Sequence, residues 1–178
     1  MVAQDASTRE ETYLISVAES DDVPEILVLQ SENQISRGGA LSVEFPAQWF
    51  EAAITDLPIV VARRDGRLVG YLVSSSQAAT QHLPLPQAKQ RAYPAGPGAY
   101  NSGPLCIAAS ERGRGLVAKL FETQRSLLQE REGIAFIRRD NAASRAVHAR
   151  YGFREVAEFS HAGVDYLVVS FLEEERRC

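Results

Sequence analysis

The run Arg112-Gly113-Arg114-Gly115 contains the residues of this sequence best suited to hold an anion. Glycine has no Cβ atom, so Gly113 and Gly115 allow a tight turn and let an anion approach the backbone. The residues that follow, Leu116 to Leu128, have the apolar spacing of an amphipathic helix. The first N–H groups of a helix lack intrahelical partners and lie at the positive end of its dipole. This stretch therefore predicts a phosphate-binding turn at the start of a helix.

The residues around Gly115 exclude two common phosphate-binding loops. A Walker A loop requires a lysine and a hydroxyl side chain directly after its last glycine, where this chain has Leu116 and Val117. A dinucleotide-binding G-x-G-x-x-G loop requires a third glycine, and Ala118 occupies that position. A G-x-G pair arises about once by chance in a chain with 12 glycines among 178 residues. The assignment therefore depends on the flanking elements.

A predicted strand precedes this turn, and a second strand and helix follow it. Pro104 to Ala109 is apolar and uncharged, which predicts a short strand covered on both faces. Gly133 to Arg138 predicts another central strand. A helix is expected from Asn141 to Tyr151, with Asn141 as its N-cap and Gly152 at its end.

The rest of the chain supplies further strands and helices. Asp65-Gly66 between two β-rich runs predicts a hairpin with a type I′ turn, because both central residues must tolerate positive φ. The remaining expected elements are an opening strand at 12–18, a helix that begins near Asp22, a second near Pro46, and a closing pair of strands at 153–159 and 164–171. We therefore predict an α/β (α+β) fold, with a single mixed, largely antiparallel sheet of about seven strands and helices on both faces.

Residues 77–102 interrupt this order of elements. The segment contains Pro84, Pro86, Pro94 and Pro97 and has little periodicity, although one or two helical turns are expected between Gln87 and Tyr93. A connection of this length is usually functional or mobile. Two interpretations are open, a surface excursion and a lid that covers the substrate. We expect one domain at 12–172 that contains this excursion, with flexible tails at 1–11 and 173–178.

Composition limits the class of partner. The formal net charge of −4 argues against a broad surface for nucleic acid, although a small positive pocket remains compatible with it. Cys106 and Cys178 stand in different contexts, so neither a disulfide framework nor a metal site is expected. A reduced, cytoplasmic location is the expectation. No apolar run approaches the ~20 residues that span a bilayer, so no membrane association is expected.

Two separated motifs resemble those of the GNAT acetyltransferase superfamily. The run from Arg112 to Val117 is similar to the family's acyl-CoA signature R/Q-x-x-G-x-G/A, with Val117 in place of the final small residue. The run from Asn141 to Phe153 resembles N-x-x-S-x-x-x-Y-x-x-x-G-F and has His148 where tyrosine is commonest. The predicted order of elements also agrees with that family, from residue 12 to 172.

The resemblance implies acetyl-CoA as co-substrate and assigns the residues that would bind it. The backbone of Ile107, Ala108 and Ala109 would pair with the pantetheine arm, and one N–H there would polarise the thioester carbonyl. The amides of the signature would bind the pyrophosphate, and Asn141 and Ser144 would lie along the pantetheine. The residues of the signature are Arg112, Gly113, Arg114, Gly115, Leu116 and Val117. No metal is implied.

His148 has two interpretations that stay open at this stage. It replaces the tyrosine that protonates the leaving thiolate in many relatives, and imidazole can do so because its pKa lies near neutral pH. Alternatively, it only packs beside the co-substrate. No acidic residue occupies the position expected for a general base; Glu32, Glu44 or a chain of waters could replace it. Cys106, in an apolar strand, is expected to be inert packing rather than a nucleophile.

We therefore predict an N-acetyltransferase that moves an acetyl group from acetyl-CoA directly to a primary amine. The acceptor is expected to be a small molecule or a peptide, and a homodimer is left open. The second hypothesis is a non-catalytic acyl-CoA-binding or interaction domain, motivated by Val117 and the missing carboxylate. A third is a general nucleotide-phosphate binder that uses the same turn. Arg138 and Arg139 either recognise a carboxylate of the acceptor or form solvated charge pairs.

Overall fold

Seven strands and six helices make up residues 12–172, the part of the chain that the computed structural model describes. The strands are β1 (Leu14–Val17), β2 (Val60–Arg64), β3 (Arg67–Ser76), β4 (Tyr100–Ile107), β5 (Gly133–Arg138), β6 (Arg154–His161) and β7 (Val164–Phe171). The helices are α1 (Val23–Glu32), α2 (Ala47–Asp56), α3 (Gln77–Thr80), α4 (Pro84–Ala92), α5 (Leu116–Leu127) and α6 (Ala142–Arg150). The tails expected at 1–11 and 173–178 lie outside the described residues.

The strands form one sheet in the order β1-β2-β3-β4-β5-β7-β6. All neighbours are antiparallel except β4 and β5, which run parallel. The β4–β5 ladder contains the pairs Tyr100↔Gly133 and Asn101↔Ile134, and the two strands separate beyond them. We call the resulting gap the β4–β5 cleft; its apex is at Asn101, and it opens towards the C-terminal ends of both strands. The predicted mixed, largely antiparallel sheet is confirmed.

The β2–β3 hairpin has the expected turn. Asp65 and Gly66 have φ angles of 50° and 78°, so the predicted type I′ turn is confirmed. A register shift opposite Ala62 and Arg63 bends the next strand near Gly70. A Cβ atom on Gly70 would lie 3.2 Å from side-chain atoms of both Ile107 and Leu116. Glycine therefore lets β3 pack tightly against the end of β4 and the start of α5.

Apolar side chains cover both faces of the sheet. On one face, Leu116, Leu120 and Phe121 of α5 are buried against β2, β5 and β7. On the other face, α1 and α2 bury Ile26 and Phe50 against β2 and β3. Full burial of each such side chain stabilises the fold by about 2 kcal/mol. Phe50 of α2 is fully buried in this layer.

The structure differs from the sequence predictions in several details. The strand expected at 104–109 is β4, which begins at Tyr100 because β3 extends to Ser76 and supplies partners for residues 100–102. Ala109 lies in a 3-10 turn instead of this strand. The excursion is more regular than expected, since α4 runs from Pro84 with proline in its first turn. Asp22 precedes α1 as expected, but its side chain accepts a hydrogen bond from the Glu19 N–H rather than from α1.

In residues 12–172, no helix is long and apolar enough to cross a membrane.

Candidate active site

The edge of β4 that faces the cleft is formed by alternate residues. The Ala108 N–H donates to the Val69 carbonyl at 2.8 Å, so its backbone points towards β3. Because antiparallel pairs alternate between bonded and non-bonded residues, the N–H and C=O groups of Ile107 and Leu105 point the other way, into the β4–β5 cleft. Ala109 lies past the strand. Of the three residues predicted to pair with pantetheine, Ile107 is the one that presents its backbone to the cleft from within the strand.

The glycine turn has the open shape expected of an anion site. Gly113 and Gly115 have φ angles of +74° and +78°, a region that side chains disfavour. A Cβ atom built on either glycine would meet no atom within 4 Å, so the space above the turn is clear. Helix α5 begins at Leu116, directly after the turn, and points its first N–H groups at that space. The residues present therefore fit a pyrophosphate.

The side chain of Arg112 turns away from this space. Its guanidinium donates to Asn33 Oδ1 at 2.6 Å and to the Ile107 carbonyl at 3.4 Å. Asn33 itself is buried and follows the last turn of α1. Arg112 therefore joins the end of α1, the end of β4 and the turn, while the backbone of the turn is left to face a ligand.

Glu111 is a buried carboxylate directly before the turn, a feature that the sequence reasoning missed. Its carboxylate accepts hydrogen bonds from the Tyr13 hydroxyl at 2.7 Å and from Arg64 at 2.9 Å. The Tyr13 hydrogen bond, followed by the hydrogen bond and charge of Arg64, lowers the pKa of Glu111. A carboxylate beside an anion site would repel the anion unless a cation compensated it. In the sequence, an acidic residue directly before the run of arginines and glycines could have indicated this buried carboxylate.

Helix α6 brings a second helix N-terminus to the open end of the cleft. Since β4 and β5 are parallel, the helices that follow them, α5 and α6, begin at the same end of the sheet. Asn141 Oδ1 accepts a hydrogen bond from the Ser144 N–H at 3.0 Å, so the predicted cap is confirmed. The two residues predicted to lie along the pantetheine thus form one cap at the mouth of the cleft.

His148 is buried on α6 and is held in one tautomer. Its Nδ1 lies 2.8 Å from the Ser144 carbonyl oxygen, and because a carbonyl only accepts, Nδ1 carries a proton. In the neutral ring Nε2 is then an acceptor. The ring packs edge-on against Phe121 and Phe153, with centroid distances of 5.5 and 5.0 Å. Burial lowers the pKa of His148, so the neutral form dominates near pH 7.

The other candidate groups differ in their surroundings. Cys106 is buried, and burial raises the pKa of its thiol to about 12, which fits the predicted inert role. Glu32 lies near enough for its charge to act on that thiol, whereas Glu44 is exposed on the α1–α2 connection. Arg138 pairs with Asp140 at 2.7 Å, and Arg139 pairs with Glu158. Of the two candidate bases, Glu32 is therefore the one that borders β4.

A separate cleft of about 680 Å³ lies on the α1 side of the turn. It is bounded by α1, the β2–β3 hairpin and residues 108–111. Its lining includes the carboxylates Glu25, Glu32, Asp65 and Glu111, against two arginines. The excess of carboxylates disfavours an anion there.

Several solved structures with a similar fold are described as N-acetyltransferases. A ribosomal-protein-alanine N-acetyltransferase from Brucella melitensis is 25% identical, with a TM-score of 0.62, over 89% of this chain and 99% of that one. An N-acetyltransferase from Staphylococcus aureus Mu50 is 18% identical, with a TM-score of 0.67, over 90% and 98%. The structure of yncA from Salmonella typhimurium with its cofactor acetyl-CoA is 17% identical, with a TM-score of 0.66, over 93% and 96%.

A family model gives a direct assignment. No curated protein matches the sequence. The model of the acetyltransferase (GNAT) family matches residues 24–153, a range that includes β4, the glycine turn and α6. The match covers more than half of the chain and contains both motifs. This chain therefore belongs to the GNAT acetyltransferase family.

Proposed function

We propose that the protein transfers the acetyl group of acetyl-CoA directly to a primary amine. The observation that carries this proposal is the separation of β4 and β5 beyond Asn101, beside an open glycine turn and two helix N-termini. Acetyl-CoA supplies the acetyl group as an activated thioester. The name of the Brucella relative, a ribosomal-protein-alanine N-acetyltransferase, supports an amine of peptidic kind.

The chain's backbone would do most of the binding. The amides of residues 113–117 would hold the pyrophosphate at the start of α5, where the helix dipole favours negative charge. The cleft-facing groups of Leu105 would pair with the pantetheine in place of a neighbouring strand, while the Ile107 carbonyl already accepts a hydrogen bond from Arg112. Since the Ala108 N–H is already bonded to Val69, the donor for the thioester oxygen would be the Ile107 N–H.

His148 would move the proton that the reaction releases. In the neutral ring Nε2 carries no proton and is an acceptor. His148 can therefore donate a proton from Nε2 only after Nε2 has taken one up. The amine must lose a proton as its nitrogen bonds to the acetyl carbon, and the sulfur must gain one as the C–S bond breaks. One histidine that accepts the first proton and releases the second satisfies both needs, without a separate carboxylate base.

Substitution of Gly115 tests the binding site. A glutamate at Gly115 would place a negative side chain in the clear space above the turn, so CoA should no longer raise the melting temperature. Gly163→Glu is a matched control, because Gly163 also has φ +78° and open space but lies in the β6–β7 turn. Both variants should carry a similar backbone strain. If CoA still stabilises Gly115→Glu as it does Gly163→Glu, the turn does not bind the pyrophosphate.

Turnover separates an enzyme from a non-catalytic binder. Thiol release from acetyl-CoA should appear with at least one member of a panel of primary amines and N-terminal peptides. CoA binding without release on every member would support the acyl-CoA-binding alternative instead.

Substitution of His148 distinguishes its two interpretations. His148→Phe should keep the ring packing against Phe121 and Phe153 and remove the proton carrier, so kcat should fall with little change in CoA affinity. We expect a loss of about 100-fold, typical of a missing acid–base group. His161→Phe, in the β6–β7 hairpin, controls for the same chemical change elsewhere. If His148→Phe kept full turnover, His148 would not carry the proton and would only pack beside the co-substrate.

A further inference from the structure

A second cleft lies in the excursion, and its lining is amide-rich and free of carboxylates. It has a volume of about 450 Å³, which suits part of a small ligand or a few residues of a peptide. Four glutamines line it together with a threonine and an arginine: Gln77, Gln81, Gln87, Gln90, Thr80 and Arg91. We call it the excursion cleft. Among its lining residues the one charged side chain is a cation.

That cation is unpaired in the described part of the chain. Arg91 has no carboxylate within ion-pair distance among residues 12–172, although the protein as a whole is acidic. The two arginines considered from the sequence as carboxylate receptors, Arg138 and Arg139, are by contrast already paired. Arg91 therefore retains its capacity to bind an anion from outside.

A buried ammonium lies beside the cleft. Lys89 is fully buried, and its Nζ donates to Gln77 Oε1 at 2.8 Å and to Asn101 Oδ1 at 2.5 Å. Both acceptors are neutral amides, and the charge of Glu132 acts on Lys89 only as a smaller effect than its burial. Burial lowers the pKa of Lys89 to about 8, so the group is mainly charged at neutral pH. Lys89 therefore adds positive potential behind Gln77, in surroundings that screen it little.

The cleft also contains an acceptor without a donor. Gln90 Oε1 is buried and has no hydrogen-bond partner among residues 12–172. Buried polar atoms in native proteins are nearly always bonded, and an unsatisfied one destabilises the fold. If the Gln90 side chain turned its oxygen into the cleft, a ligand that offered an N–H to Gln90 and a carboxylate to Arg91 would satisfy both groups. A peptide with an acidic side chain carries these two functions together.

The position of the cleft sets the length of such a peptide. Gln77, in its lining, donates to Asn101 Oδ1 at 3.1 Å, and Asn101 is the apex of the β4–β5 cleft. Ile107 lies six residues farther along β4, roughly 20 Å at the rise of a strand. An extended peptide covers that distance with about six residues. An amine held beside Ile107 and an acid held in the excursion cleft would thus be about six residues apart.

We propose that the excursion cleft binds an acidic side chain of a peptidic acceptor, about six residues from the amine that is acetylated. This proposal rests on the proposed function for the position of the amine, but the binding of the acid does not require turnover.

Fluorescent octapeptides with a free N-terminal alanine and a glycine-serine spacer test the cleft. Two of them carry either glutamate or glutamine as the sixth residue, and their binding is measured by anisotropy in the presence of CoA. Arg91 is exposed, and an exposed ion pair contributes up to about 1 kcal/mol, so the glutamate peptide should bind about threefold to fivefold more tightly. Arg91→Glu should abolish that preference, and the matched variant Arg150→Glu, on exposed α6 surface, should keep it. Equal affinities for the two peptides, or an unchanged preference in Arg91→Glu, would overturn the proposal.

Two further measurements keep this test separate from that of the proposed function. CoA should raise the melting temperature of wild type and of both arginine variants equally; if it fails in all three, acetyl-CoA binding is refuted while the peptide result still decides the cleft. With acetyl-CoA, a peptide with glutamate as its second residue should have a lower kcat/KM than the peptide with glutamate as its sixth. Equal values would refute the six-residue spacing.

Discussion

Replacement of Lys89 by methionine should change how the stability of the protein depends on pH. Lys89 is fully buried, and burial lowers its pKa from the ordinary 10.5 to about 8. Methionine fills a similar volume without a charge, so Lys89→Met removes the titration and leaves the space between α3 and β4 filled. Gln77 Oε1 loses its donor in the variant. This loss changes the free energy of unfolding by an amount that does not depend on pH.

The sign follows from the number of protons bound in each state. Below pH 8 the lysine is protonated in both the folded and the unfolded protein, so it contributes no slope. Between pH 8 and 10.5 the unfolded chain holds a proton that the folded protein has released, and the free energy of unfolding therefore rises with pH. Each unit of pKa difference corresponds to about 1.4 kcal/mol. From pH 7 to pH 10 the wild type should gain about 2.5 kcal/mol relative to Lys89→Met.

Urea unfolding of both proteins at pH 7, 8, 9 and 10 measures this difference. Other buried groups titrate in the same range and oppose the effect: burial raises the pKa values of Cys106 and Tyr71, so each destabilises the fold as the unfolded chain loses its proton. These contributions are present in both proteins and cancel in the comparison. A difference between wild type and Lys89→Met that stays flat from pH 7 to 10 would show that the lysine keeps an ordinary pKa, and the buried charge beside the excursion cleft would be refuted.

Two other predictions concern groups around the glycine turn. Glu111→Gln should lower the free energy of unfolding at pH 7 by about 1 kcal/mol, since it weakens the contacts to Tyr13 and Arg64. Because the folded pKa of Glu111 is lowered, the difference from wild type should disappear as the pH falls from 4.5 through that lower value, and urea titrations at pH 7 and pH 3 check it. Cys106 in the folded protein should resist iodoacetamide at pH 8, because a pKa of about 12 leaves on the order of one thiol in 10,000 ionised. Peptide mass spectrometry of native and urea-unfolded protein measures this, and rapid labelling of native Cys106 would contradict its burial.

The parts of the site that the sequence predicted depend on local backbone geometry. Positive φ angles at Gly113 and Gly115, the Asn141 cap and the Asp65-Gly66 turn each follow from one or two residues and their immediate neighbours. The chemical reason lies in the residues themselves, because glycine lacks a Cβ atom and the side chain of asparagine reaches the N–H groups of a helix start. Such features can be inferred without knowledge of what packs nearby.

The parts that were missed depend on contacts between distant residues. Tyr13 and Glu111 are 98 positions apart, and Arg112 and Asn33 are 79 apart. The early start of β4 at Tyr100 depends on pairing with Ser76, and serine has no strong preference for strands. Neither helical periodicity nor turn chemistry indicates that Lys89 is buried beside Asn101. Tertiary context decides these features, so only a three-dimensional structure could supply them.

The candidate site has a half for the co-substrate and a half for the acceptor, and the sequence predicts the first better than the second. The co-substrate half, as proposed, consists largely of backbone groups of β4 and the glycine turn, whose shape follows from its glycines. The acceptor half, as proposed, depends on the side chains Gln90 and Arg91 in an excursion whose helices the sequence barely indicated. A relative of the same fold can therefore share the binding of acetyl-CoA without sharing an acceptor. For this reason our proposal for the acceptor rests on the excursion cleft, in which an arginine and an amide oxygen that lack partners among residues 12–172 favour an acidic peptide.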